Sequence, residues 1–216
     1  LPIKSEESHA RRQQKKAEQL MEAWLQIVIR QLILYSLPVL ISLTCVAMIE
    51  ARLTGRAMAH PFAAIIGRAV WLPLLASIAF HRGVIITMSG NMTHGVKTAA
   101  IRMAAHLILC AAGFLLYLWS LSHMAPVGLP PLHHWWAKVL MFFNLCMVCM
   151  HLLPLPGQLL GEWLLQSRYG TIVAPLCWRY AWFLITVLAA SPLLDLLPGA
   201  ALVFPIYELI SNTAMH

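Results

Sequence analysis

Two histidines, His106 and His151, each stand inside a run of residues greasy enough to cross a membrane. An imidazole in that setting can bind a metal or a haem iron. Arg30 is a third ionisable group at such depth, with Glu50, His81, Asp195 and Glu208 nearer the ends of apolar runs. Charge in hydrocarbon is costly, so each is read first as functional. The plainer use of either histidine is a neutral ring bonded across to a neighbouring helix. Cys146 and Cys149 share a helix face, and with His106 or His151 they would make a soft metal site; otherwise they are two small packing residues. Met141, Met147 and Met150 suggest copper less than they suggest gap filling. Nucleophilic chemistry finds no support: the chain has no GxSxG turn, and Asp195 is its only Asp, which also excludes a paired-aspartate protease.

The elements that must position these groups are membrane helices. The chain has 216 residues, 60% of them hydrophobic and 11% charged, with a mean hydropathy of +0.74. A soluble domain carries roughly 25% charged residues. The composition therefore predicts an all-α, polytopic membrane bundle in one domain over residues 25–216, preceded by a basic interfacial segment, 1–24. Apolar runs at 26–49, 62–80, 99–122, 137–154, 179–197 and a shorter 199–211 predict five or six spans, with kinks at Pro38 and Pro73. Residues 6–24 read as a short helix on the membrane surface.

Net charge +7 does not point to nucleic acid, because Lys4, Arg11, Arg12, Lys15 and Lys16 all lie just before the first apolar run, where such charges set orientation. They place the N-terminus in the cytoplasm, 50–61 and 123–136 outside, and 81–98 and 155–178 inside. Arg52 and Arg56 count against this scheme. No secretory signal is visible in the polar stretch 1–24. Cys45, Cys110, Cys146, Cys149 and Cys177 all fall in apolar surroundings and predict buried thiols in place of a disulfide framework.

One stretch breaks the pattern. The run 144–165, NLCMVCMHLLPLPGQLLGEWLL, acquires His151, Pro154, Pro156, Gly157, Gln158 and Glu162 before turning greasy again. It resembles the proline motif of the site-2 protease family of intramembrane zinc metalloproteases, in its small bacterial branch. Leu152, Leu153, Pro154, Leu155, Pro156 and Gly161 fall on that motif. His151 stands for the family's Asn, and Leu159 for its metal-binding Asp. The stretch 52-RLTGRAMAH-60 is similar to a second family signature, 99–116 falls where the family has its AGPxxN helix, and 178–210 resembles its closing helices.

The resemblance implies a broken helix at LPLPG, a bacterial inner-membrane location and a zinc site, but the zinc chemistry is missing from the sequence. No His is followed by Glu and no two His are four apart, so the family's HExxH is absent, and residues 26–49 offer only Arg30, Gln31, Tyr35 and Thr44 in its place. The expected protein is a catalytically degenerate member: no metal, no cofactor, and a role in binding another membrane protein. The partner would dock at the break, on Pro154 and Pro156, with hydrogen bonds from His151 and Gln158. The alternatives are an active enzyme holding zinc on His106, His151 and Cys149, and a carrier of haem b on His106 and His151.

Overall fold

A computed structural model describes residues 3–57, 60–88, 94–123, 129–155, 157–167, 170 and 180–213, with side chains from residue 13 onward. Every regular element among them is helical. Helix α1 runs Ile3–Leu53, and a 3-10 turn at Pro61–Ile65 precedes α2, Arg68–Ala79. Then come α3, Val96–Ser122, α4, Leu132–Met150, and α5, Leu159–Gln166. The closing part is α6, Ala181–Ala190, a π-helical turn over Asp195–Val203, and α7, Phe204–Thr213.

Among the described residues two helices are long and apolar enough to cross a membrane, Gln13–Leu53 and Val96–Ser122. A third crossing is added if the closing pair, bent by 78°, counts as one. The expected span at 62–80 is a helix of only 12 residues, about 18 Å at 1.5 Å per residue. Gly67, at φ 122°, fixes its start.

Residues 6–24 are not a separate surface helix. Nothing between Ile3 and Pro38 breaks helical propensity, so α1 passes through them without interruption. It ends in a Schellman turn: Gly55 sits at φ 67° while the Arg56 amide donates to Ala51 O at 3.0 Å. His81 plays the glycine's part at the end of α2, with φ 51° and the Arg82 amide on Ser77 O at 2.8 Å.

The segment after α2 corrects the expected topology. Residues 84–88 are extended and fully buried. Val84, Ile86 and Met88 pack into one core cluster with Cys110, Met141, Cys146 and Ile185. Ile85 packs into the other, with Val39, Leu43, Leu74, Phe143 and Met147. That is the two-sided alternation of extended chain, threaded between helices without being a strand of any sheet. Its polar groups are matched by α2: the Thr87 hydroxyl donates to Val70 O at 2.7 Å and the Met88 amide to Ala69 O at 3.2 Å.

The segment thus returns along α2 toward that helix's start. At the turn, Trp24 Nε1 donates to Ala79 O at 3.2 Å, Arg82 Nε to Ala190 O at 2.8 Å, and the Val84 amide to Asp195 at 2.7 Å. At the far end, Glu50 of α1 pairs with Arg102 of α3. So 81–98 is not one inner loop: residues 81–83 lie near Trp24, while 94–102 lie beside the end of α1. Arg52 and Arg56, which counted against the charge scheme, share an end with Lys97 and Arg102.

α3 and α4 are antiparallel and very close. A Cβ on Gly113 would lie 2.6 Å from the Met141 amide nitrogen. α4 is the innermost helix, with Leu140, Met141, Phe143, Leu145, Cys146, Met147, Cys149 and Met150 all buried. The described cysteines are free thiols, Cys110, Cys146 and Cys149 buried and Cys45 partly so, while Cys177 lies outside the described residues.

Candidate functional site

Polar side chains from α1, α3, α4 and the turn after it meet near one end of the bundle. Ser42 donates to Pro38 O at 2.7 Å within α1. Asn144 Nδ2 donates to Ser42 Oγ at 2.8 Å and to Leu140 O at 2.7 Å. Its Oδ1 is therefore left as the acceptor, and His106 Nδ1, 2.8 Å away, is the donor. In the neutral ring that leaves Nε2 with a lone pair. One asparagine thereby ties three helices together.

His151 is assigned in the same way. Its Nδ1 accepts the Leu159 amide at 3.1 Å, and its own carbonyl accepts the Leu160 amide at 3.1 Å. It thus caps the first amides of α5 from eight residues upstream, a task the N-cap Gln158 does not perform. The ring proton is then on Nε2. The two imidazole centroids are 6.3 Å apart.

A charged layer lies beside them. Arg102 Nε is 3.3 Å from Glu50 Oε2, with both side chains buried. Glu162, 3% exposed, accepts the amides of Gly95 at 2.7 Å and Gly157 at 3.0 Å, and its Oε1 is 3.4 Å from His94 Nδ1. Burial holds the His94 pKa below its ordinary value despite the facing Glu162 carboxylate. Arg102, His106, His151 and Gln158 line a cavity of about 10 Å³, closed by Leu43, Val46 and Met147. That is room for about one water.

Of the residues singled out from the sequence, His106, His151 and Gln158 converge on this cavity. Arg30 does not: it is exposed, in a hollow with Gln26 and Trp135. Pro154 is on the surface and Pro156 lies outside the described residues. Cys149 packs with Cys110 and Cys146 in the opposite core cluster. His151 and Gln158 are 2% and 1% exposed, so a docked partner would meet Leu152 and Pro154 instead.

The turn between α4 and α5 also offers no amide to a partner. The N–H groups of His151, Leu152, Leu153, Leu155, Gly157, Gln158, Leu159 and Leu160 all have acceptors within the chain, and prolines have none to give. Sequence reasoning missed Asn144, the Glu50–Arg102 pair and Glu162. The signals were present as a lone amide within an apolar run and as opposite charges at the ends of two apolar segments.

No family model matches the chain, and neither a curated protein nor a solved structure matches it. The zinc implied by the site-2 protease resemblance does not fit the residues present. α1 turns Leu43 and Val46 toward the cavity where HExxH side chains would be needed, and Leu159 has no donor atom in its side chain. Among the described residues no three His, Cys, Asp or Glu side chains are grouped to hold a metal ion. Haem b between His106 and His151 has no room either, since pockets for sizeable ligands run to about 300–1,000 Å³.

Proposed function

We propose that the chain is a non-catalytic membrane protein built on a site-2-protease-like scaffold, and that it works by holding another integral membrane protein within a complex. The observation that carries this reading is the state of the polar centre. His106 is committed to Asn144, His151 to Leu159, Arg102 to Glu50, and Glu162 to Gly95 and Gly157. These groups hold helices together and leave space for no substrate. In this reading α1, α3, α4 and the closing helices give the five or six crossings, with α2 and its extended return among them. The N-terminus is cytoplasmic and the membrane is a bacterial inner membrane.

The partner would pack at the end of α4, where Leu152 is 51% exposed and Pro154 is on the surface. The test is affinity purification of the full chain from native membranes, with Leu152→Ser and Pro154→Ser beside the wild type. Loss of one co-purifying membrane protein with retained folding supports the reading. Undiminished co-purification removes the docking face, and stoichiometric zinc or a Soret band in the purified protein removes the non-catalytic reading altogether.

A further inference from the structure

The polar centre makes one demand that the described residues do not meet. Gln158 is 1% exposed, and its Oε1 has no donor among them. The residue stands at the N-cap of α5, yet its side chain makes no capping bond there, because His151 Nδ1 already accepts the Leu159 amide. The Gln158 side chain instead lines the cavity that it shares with Arg102, His106 and His151. A buried amide oxygen without a donor is costly, and native structures supply one from protein or from enclosed water.

The two imidazoles are complementary to each other but do not meet. His106 gives its Nδ1 proton to Asn144 and keeps a lone pair on Nε2, whereas His151 accepts on Nδ1 and carries its proton on Nε2. Their centroids are 6.3 Å apart with the planes tilted by 49°, farther than a direct N–H···N bond between two rings allows. The rings and the Gln158 amide thus offer one donor and two acceptors beside a space of about 10 Å³. A water molecule has two protons to give and lone pairs to receive, and a buried one typically makes about three hydrogen bonds.

We propose that the cavity is a binding site for one water, which accepts the His151 Nε2–H and donates to His106 Nε2 and Gln158 Oε1. Other occupants are unsuited. A cation would meet the Arg102 guanidinium in the same wall, and an anion would find that charge already neutralised by Glu50 at 3.3 Å. A metal ion needs a lone pair on His151 Nε2, where the Leu159 amide on Nδ1 fixes the proton. Leu43, Val46 and Met147 close the rest of the wall and leave room for nothing larger. Burial is no obstacle, because such waters are enclosed as the chain folds and exchange when it opens locally. The water joins α3, through His106, to the turn after α4 and to the N-cap of α5. It does so whichever partner meets Leu152 and Pro154.

The experiment uses the full chain, with isotope-labelled histidine, in lipid nanodiscs and reads proton-detected NMR of the imidazoles. The expected spectrum has a protonated Nε2 on His151 whose proton correlates with a water held apart from bulk solvent. It also has an unprotonated, hydrogen-bonded Nε2 on His106. Val46→Ile adds one methylene to the wall and should abolish the water correlation. Gln158→Met keeps the length of the side chain, removes the acceptor and should weaken the correlation. Thermal unfolding shows which variants fold, and Gln158→Met decides if Val46→Ile does not. A direct coupling between the two ring nitrogens, or no water correlation in the folded wild type, overturns the site. An unchanged correlation in either folded variant does the same. So does loss of the His151 Nε2 proton on adding zinc ions, which would assign the cavity to a metal.

Discussion

Replacing Asn144 with Leu tests whether the polar centre is structural. The two side chains are similar in size, so the packing change is small and the loss is one of hydrogen bonds. His106, 2% exposed, would keep a ring N–H with no acceptor, which costs about 1–3 kcal/mol. The interhelical bond to Ser42 at 2.8 Å is lost as well, worth about 0.6 kcal/mol in a membrane protein. The expected destabilisation is therefore about 2–3.5 kcal/mol. His106→Leu alone strands the Asn144 oxygen and should cost a comparable amount. The double variant leaves neither group stranded, so it should be less destabilised than the sum of the singles by at least about 1 kcal/mol. Reversible unfolding in mixed micelles, or steric trapping, measures all three. Additivity within about 0.5 kcal/mol would refute the reasoning, because it would mean that the 2.8 Å contact carries no coupling.

Gly113→Ala places a methyl 2.6 Å from the Met141 nitrogen, and because backbone cannot step aside as a side chain can, a loss of about 1–3 kcal/mol in the same unfolding assay is expected. Gly161→Ala would drive a Cβ into the Leu155 carbonyl oxygen, so the turn between α4 and α5 should open and become cleavable by protease. His94 has a folded-state pKa below its unfolded value, so the unfolded chain takes up the proton first. Stability is then unaffected above the unfolded pKa and falls as pH drops through it toward the folded value, a slope that His94→Gln should flatten. In a background lacking the five cysteines, impermeant maleimide should label Arg56→Cys and Lys97→Cys from one side of the membrane and His81→Cys from the other. Labelling of positions 81 and 97 from one side would contradict the buried return segment.

Much of the helical content was legible because long apolar runs leave few alternatives in a membrane. The ends of α1 and α3 were marked by Gly55 and Gly95. The return segment was not legible: VIITM reads as part of any apolar segment, and only its packing into two core clusters reveals its alternation. That one misreading moved 81–98 from a loop at one end to a segment joining both ends. For the site, His106, His151 and Gln158 were found because polar groups in apolar runs are conspicuous. What they do was not evident, since the acceptor for His106 lies 38 residues away in sequence. The Glu50–Arg102 pair spans a longer separation still and required the hairpin between them to be folded first.

Prolines interrupt helical bonding in this bundle, and at three places the interruption is matched from within the chain. Pro73 has no N–H for the Ala69 carbonyl four residues back, and the Met88 amide occupies it at 3.2 Å. Pro154 cannot continue α4, and the amides beyond it are taken up by His151 and Glu162. Pro198 cannot bond to the Leu194 carbonyl, and the chain widens into a π turn there. A buried gap of this kind has to be matched from within the chain. An imidazole or carboxylate that caps a helix end is therefore already used, which is why a histidine such as His151 is weak evidence for a metal. Binding is better sought where a polar atom is still without a partner. Gln158 Oε1 is one, and it faces a cavity of about 10 Å³. Trp136 Nε1 is another, buried in a residue that helps to line a hollow of about 200 Å³.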